Sequence, residues 1–287
     1  MRWFVPFLAL FVLGGPFWAI EKRYAALPDQ PRWRKDSRTD LLYWFFLPFV
    51  TKAVRRGAAV VAVLVVALLT RTAPEPGAGV RPFVEGSWVD AQPVWVQIIL
   101  LLLAADFLGY WIHRLFHRGR LWRLHAVHHS STQLDWLASV RVHPLNDALG
   151  GVFRAVPLVL LGFDPLVVAG LMPLLGLHGL LLHANVPWAF GPLRYLISSP
   201  CFHRWHHASL EQLPAAHRRR AGANFAGLFP IFDLMFGTFH MPREVQPQQF
   251  GVGEAVPAGL WAQLVWPFRR AGAARPSASV NVQPGCR

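Results

Sequence analysis

The sequence predicts an all-α fold: an integral membrane helical bundle with a cytosolic, histidine-rich helical cap holding a di-metal site. Three observations predict it. The 287 residues are 54% hydrophobic and only 15% charged, with 13 Trp and 21 Phe, a composition more apolar than that of a soluble domain. Apolar runs recur at lengths near the roughly 20 residues needed to cross a bilayer. All 13 histidines follow residue 112, and most sit in short clusters at spacings of three and four.

Taken in order, residues 3 to 20, "WFVPFLALFVLGGPFWAI", place bulky Phe17 and Trp18 where a signal peptidase requires small side chains, so they read as a retained anchor. The aromatic run 41 to 50 is too short to cross and reads as interfacial. After the basic break Lys52, Arg55 and Arg56, residues 57 to 69 read as the span it feeds. Residues 94 to 112 form the clearest span. Two further apolar segments, 152 to 163 and 165 to 182, are split by Gly162 and Pro165 and read either as a re-entrant pair or as one span plus an interfacial helix. From about residue 270, Ala, Ser, Pro and Gly without periodicity predict disorder. The chain therefore divides into an N-terminal membrane region (1–93), a histidine-bearing region (94–240) and a C-terminal tail (241–287).

Orientation follows from the basic residues. Segment 21 to 56 carries nine (Lys22, Arg23, Arg32, Arg34, Lys35, Arg38, Lys52, Arg55, Arg56) against two, Arg71 and Arg81, in 71 to 93, which places the former in the cytoplasm. The span at 94 to 112 then returns inward and delivers His113 to the cytoplasmic face. The formal charge of +13 lies mostly beside apolar segments, where it fixes topology and meets anionic headgroups, so no nucleic-acid partner is expected. Cys201 and Cys286 are far apart in unlike settings and read as incidental thiols, with no cysteine-based metal module.

The histidines fall into "HRLFH" (His113, His117), "HAVHH" (His125, His128, His129), "HGLLLH" (His178, His183) and "HRWHH" (His203, His206, His207), with His143 in "RVHP". Spacings of three and four put imidazoles on one helix face, where two can reach one metal ion. A single His-x-x-His-His is expected only about once in forty chains of this histidine content; this chain has two. Asp106, Tyr110, His113 and His117 lie at i, i+4, i+7 and i+11, within roughly a 60° arc of one face. Asp106 is thus positioned to orient a ligand histidine through its second nitrogen, or to pair with an arginine. At least eight clustered histidines exceed the need of one ion and fit two. There is no "HExxH" protease motif and no Glu-x-x-His pair.

"DFLGYWIHRLFHR", "LWRLHAVHHSS", "SVRVHP", "LLHAN", "SSPCFHRWHH" and "NFAGLFPIFDLMFGTF" follow one another in an order that resembles the sterol desaturase and fatty acid hydroxylase superfamily of membrane di-iron oxygenases, over roughly residues 94 to 240. The resemblance implies His113, His117, His125, His128, His129, His203, His206 and His207 as ligands of two irons, with zinc as an in vitro substitute, and His183 as a ligand found in some members. His178 is a further candidate, although its five-residue separation from His183 turns the two about 140° apart on a regular helix. His143 in "RVHP" matches a family motif, either as a metal ligand or as the support of one, and Asn224 and Asp233 match family positions after the last box, either as hydrogen-bond partners of ligands or as caps or turn residues. Tyr110 reads as a substrate contact or an interfacial anchor. His217, beside three arginines, reads as a solvated loop residue, and His240 as a surface or packing residue.

The reaction the resemblance implies is hydroxylation of a lipid C–H bond, fatty acyl, sterol or related, with O2. The same ligand set serves a lipid desaturase, so the boxes do not choose between them. No haem-attachment, dinucleotide or iron–sulfur motif is present, so electrons are expected from a separate cytochrome or ferredoxin system. A metal transporter would place polar ligands at mid-bilayer in several helices, and a non-catalytic metal-binding membrane protein would be marked by a lost histidine box.

Overall fold

Long apolar runs with few charges become helices in the computed structural model, which describes residues 4–72 and 81–269. Helix α1 (Val5–Tyr24) begins with Pro6, in the first turn where a missing N–H costs nothing, and ends with Lys22 and Arg23, which complement the helix dipole. Helix α2 (Ser37–Thr70) is one continuous element of 34 residues. The sequence predicts an interfacial piece and a separate span there. The structure runs straight through Pro48 and the basic residues, because Lys and Arg favour helix and a break in hydropathy is not a break in conformation. At about 51 Å, α2 exceeds the roughly 30 Å hydrocarbon core, and its first turns, with Tyr43 and Trp44, are buried against the cap.

A single turn, α3 (Arg81–Val84), precedes α4 (Val94–Phe116). Among the described residues α1, α2 and α4 are long and apolar enough to cross a membrane. The cap begins with α5 (Gly119–His129). Helices α6 (Pro144–Leu160) and α7 (Pro165–His183) follow, α6 packing on α2 and α4 and α7 on α8. The turn between α6 and α7 lies against the approach to α4: Ser87 Oγ donates to the carbonyl of Gly162 at 3.0 Å, and Phe163 packs with Val89 and Leu101. Gly162 has φ +88, and a Cβ there would overlap the Ser87 side chain, so the turn requires glycine. The remaining helices, α8 (Pro200–His207), α9 (Ala215–Arg219), α10 (Ile231–Met235) and α11 (Leu260–Val265), complete the cap.

Histidines of α4, α5, α7 and α8 converge at the C-terminal end of α4. The end of α1 reaches the cap through Glu21, whose Oε1 accepts from the backbone N–H groups of Trp136 and Asn185 at 3.0 and 2.9 Å. The start of α2 reaches it through a buried charge network. Arg34 donates to both carboxylate oxygens of Asp135 and to Asp40, and Arg141 donates to the other oxygen of Asp40 at 2.7 Å. Arg34, counted among the basic residues of segment 21 to 56, is buried as a strut and not solvated. Residues after 240 also join the cap, where Leu260 and Trp266 pack on Tyr43, Ala126 and Val127. The tail expected to be disordered from about residue 270 lies outside the described residues.

Candidate metal centre

Nine histidines converge in two adjacent groups. His113, His117, His125, His129 and His206 form one; His128, His183, His203 and His207 form the other, and within each group the candidate ligand atoms all lie within 4.8 Å of one another. The His-x-x-His-His spacing explains the division. In α5 the i, i+4 pair His125 and His129 shares one face and serves the first group, while His128, about 100° from His129, turns to the second. In α8 the pattern is exchanged: His203 and His207 serve the second group and His206 the first. Each helix therefore reaches both groups, and the stacked rings of His129 and His207, 4.3 Å apart, join them.

The hydrogen bonds fix which nitrogen each ring presents. The Nδ1 of His113 donates to Phe225 O at 2.8 Å, that of His128 to Arg141 O at 3.1 Å and that of His183 to Gly179 O at 2.8 Å. A carbonyl only accepts, so in the neutral ring Nε2 carries a bare lone pair. These lone pairs point at one another: Nε2 of His183 is 3.2 Å from Nε2 of both His128 and His203, and Nε2 of His113 is 3.0 Å from Nε2 of His125. The buried Nε2 atoms of His117 and His206 have no hydrogen-bond partner. Two nitrogens each about 2.1 Å from one ion and near a right angle apart stand about 3.0 Å from each other. The donor set thus fits two transition-metal ions held by imidazole.

A backbone strap at residues 221 to 227 orients the first group. Carbonyls at alternate positions accept from successive rings: Ala221 from His117 at 2.9 Å, Ala223 from His206 at 2.9 Å and Phe225 from His113. The next carbonyl in the series, that of Gly227, faces His178. Sequence reasoning misses this strap, because a carbonyl carries no side-chain signal. Asp106 does not orient a histidine as expected, since carbonyls already occupy the second nitrogens. Instead it pins the strap, accepting from the N–H groups of Gly227 and Leu228 at 2.9 Å and of Phe229 at 2.7 Å. Asp233 accepts from Phe225 N, Ala226 N and the Thr238 hydroxyl. Burial pushes its carboxyl up to about 6. Asn224, at φ +57, ties the strap to Phe202 O and His240. Tyr110 is fully buried and bonds Thr238 at 2.9 Å, so it is neither an interfacial anchor nor at the site.

Other expected residues lie elsewhere. His178 enters neither group, its ring having turned to Gly227. His143 caps α6: its Nδ1 accepts from Leu145 N at 3.1 Å and its Nε2 donates to Leu264 O at 3.0 Å. His217 is half-buried against His240, their ring centroids 5.1 Å apart, and not solvated. Cys201 is fully buried in the core beside Phe202 and Trp205 and enters neither histidine group. Asn146, whose Oδ1 accepts from His125 Nδ1 at 3.2 Å, escaped notice in the sequence.

Burial pushes His125, His128, His129, His203, His206 and His207 well below the usual 6.5, and the charge of each neighbouring imidazole adds to the effect. They are neutral at pH 7, the state a metal requires. A cavity of ≈ 200 Å³ opens beside them between α4 and α6, reaching His113, His125 and His128.

Residues 98–238 match the model of the fatty acid hydroxylase family. The ornithine lipid hydroxylase OlsE of Rhizobium tropici is 34% identical over 186 residues, 64% of this chain and 54% of that protein. Human alkylglycerol monooxygenase is 32% identical over 156 residues, 54% of this chain and 32% of its own length. The very-long-chain aldehyde decarbonylase GL1-6 of Oryza sativa subsp. indica is 29% identical over 192 residues, 62% of this chain and 27% of that protein. The chain thus spans about half the length of the first of these relatives and about a third or less of the other two. No solved structure matches it significantly. Through residues 98–238, with every histidine of the two groups inside that stretch, the chain belongs to the fatty acid hydroxylase family of the sterol desaturase and fatty acid hydroxylase superfamily.

Proposed function

We propose that this chain is a membrane-bound di-iron monooxygenase that hydroxylates a lipid C–H bond with O2 at the cytoplasmic face, its catalytic domain lying within residues 94–240. The observation that carries the reading is the pair of adjacent all-histidine groups beside a cavity that opens between the membrane helix α4 and α6. His113, His117, His125, His129 and His206 would hold one iron, and His128, His183, His203 and His207 the other. Bound iron supplies the dioxygen activation and redox chemistry that no side chain here provides.

The chain's own residues position and protect that chemistry. The strap and the carbonyls of Arg141 and Gly179 hold the rings with Nε2 inward, so little reorganisation accompanies binding. Phe116 and Phe225 wall the cavity with apolar surface, which favours lipid and excludes water. Electrons come from a separate donor of cytochrome or ferredoxin type, and the exposed Arg218, Arg219 and Arg220 give an acidic donor a surface to approach.

The test is turnover in lipid bilayers with ferrous iron, ¹⁸O2, reduced nicotinamide nucleotide, ferredoxin and its reductase. The expected product is a lipid carrying one ¹⁸O. Iron-loaded protein that yields neither oxygenated nor desaturated lipid overturns the reading, and an unsaturated product without ¹⁸O moves it to a desaturase.

A further inference from the structure

The cavity beside the histidines has a charged mouth. Asn146, Gly150 and Arg154 recur at i, i+4 and i+8 on α6, so one face of that helix lines the cavity opposite Gly109, His113 and Phe116 of α4. Glycines at 109 and 150 open the space between the helices. A Cβ on Gly150 would lie 3.8 Å from the Phe116 ring, and one on Gly109 would lie 3.7 Å from the Arg154 guanidinium. Arg154 is exposed at this mouth. Among the described residues no hydrogen bond or ion pair engages its guanidinium. The carboxylates nearest in charge are Asp106 and Asp147, and Asp106 is already committed to three backbone N–H groups.

The exposed guanidinium of Arg154, about 6 Å along α4 from His113, carries a charge that an anion at the cavity mouth would meet. The cavity is smaller than the roughly 300 Å³ at which pockets begin to enclose a drug-sized ligand. It takes the polar end of a lipid and leaves the tail in the bilayer.

We infer that Arg154 is a specificity-determining residue that binds the anionic group, carboxylate or phosphate, of an amphipathic lipid, so that the bond presented to the histidines lies close to that charged end. The inference rests on the oxygenase reading for its reaction, but its ligand preference is measured without metal. The guanidinium offers a planar fork of donors suited to either anion.

The test is equilibrium binding to the metal-free full chain in neutral detergent, read by native mass spectrometry with three sixteen-carbon probes: hexadecanoate, hexadecyl phosphate and hexadecanol. The wild type is expected to bind at least one anion about ten-fold or more tightly than the alcohol. The preferred anion identifies the carboxylate or phosphate source. R154Q is expected to abolish the preference while changing hexadecanol binding less than about two-fold, and R154K to keep most of it. Equal affinity of the wild type for alcohol and anions overturns the inference without any variant. So does an R154Q protein that melts with the wild type and still prefers an anion. Iron-loaded protein that oxidises no lipid yet shows the preference removes the oxygenase reading alone.

Discussion

His128 and His183 face each other through their Nε2 atoms at 3.2 Å, while a backbone carbonyl holds the Nδ1–H of each. Two lone pairs at that distance repel, and a cation between them converts the repulsion into two coordinate bonds. In the other group the Nε2 atoms of His113 and His125 stand 3.0 Å apart, the Nδ1–H of His113 held by the Phe225 carbonyl and that of His125 by the Asn146 side chain. The groups should therefore be separable. His183→Ala is expected to lower bound metal from about two ions per chain to about one, and His117→Ala to do the same from the other side. Plasma mass spectrometry on purified protein checks this, and an unchanged ratio in both variants would count against two sites.

Asp106 acts on the histidines through the strap, at one remove. Asp106→Asn keeps one acceptor oxygen but turns an NH2 toward a backbone N–H, leaving a buried donor unpaired. The expected loss is about 1–3 kcal/mol of stability. Because the strap serves His113, His117 and His206, a chelator should strip the first group sooner than the second. Thermal melting with a timed chelator challenge reads both effects, and wild-type behaviour in each would show that the strap holds without its anchor.

The convergence of the His-x-x-His-His boxes was legible in the sequence as a face pattern, since i, i+4 and i+3 relations on a helix are fixed by 3.6 residues per turn, whereas the division of each box between two groups came only with the structure. The membrane helices were legible too, because hydropathy and length suffice. The continuity of α2 was not: charges at 52 to 56 interrupt the apolar run without interrupting the helix. Asp106 was read as a partner of imidazole because an acid near a histidine box has that as its usual use. Its real partners are N–H groups more than a hundred residues later in the chain, which no spacing within α4 reveals. Arg154 was hidden in an apolar segment, and its meaning came only when α6 was laid against α4.

Asp40 holds two buried arginines, Arg34 at 2.8 Å and Arg141 at 2.7 Å, and Arg141 in turn offers its carbonyl to His128. Asp40→Asn keeps one acceptor oxygen, so one of the two guanidinium groups loses its hydrogen bond here and both lose the counter-charge in a buried setting. Breaking a buried pair on one side costs about 3–5 kcal/mol, so this variant should be among the most destabilised that lie outside the histidines. Denaturant or thermal unfolding in detergent measures it. A loss below about 1 kcal/mol would mean that the network is solvated and not a strut.

His143 gives a pH dependence with a definite sign. Its Nδ1 caps α6 by accepting from Leu145 N, which only the neutral ring can do, and burial pushes its pKa below 6.5. Below pH 6.5 the unfolded chain therefore takes up a proton that the folded chain refuses. The contribution is complete above pH 6.5 and is lost as pH falls beneath it, at up to about 1.4 kcal/mol per pH unit. His143→Asn supplies a strong N-cap that does not titrate, at the cost of the Leu264 hydrogen bond, about 1 kcal/mol at every pH. Paired melts of metal-free wild type and variant from pH 7.5 to 5.5 should converge or cross as the wild type loses stability faster, the remaining histidines titrating alike in both. Parallel curves would show that the ring is protonated in the fold or that its cap contributes nothing.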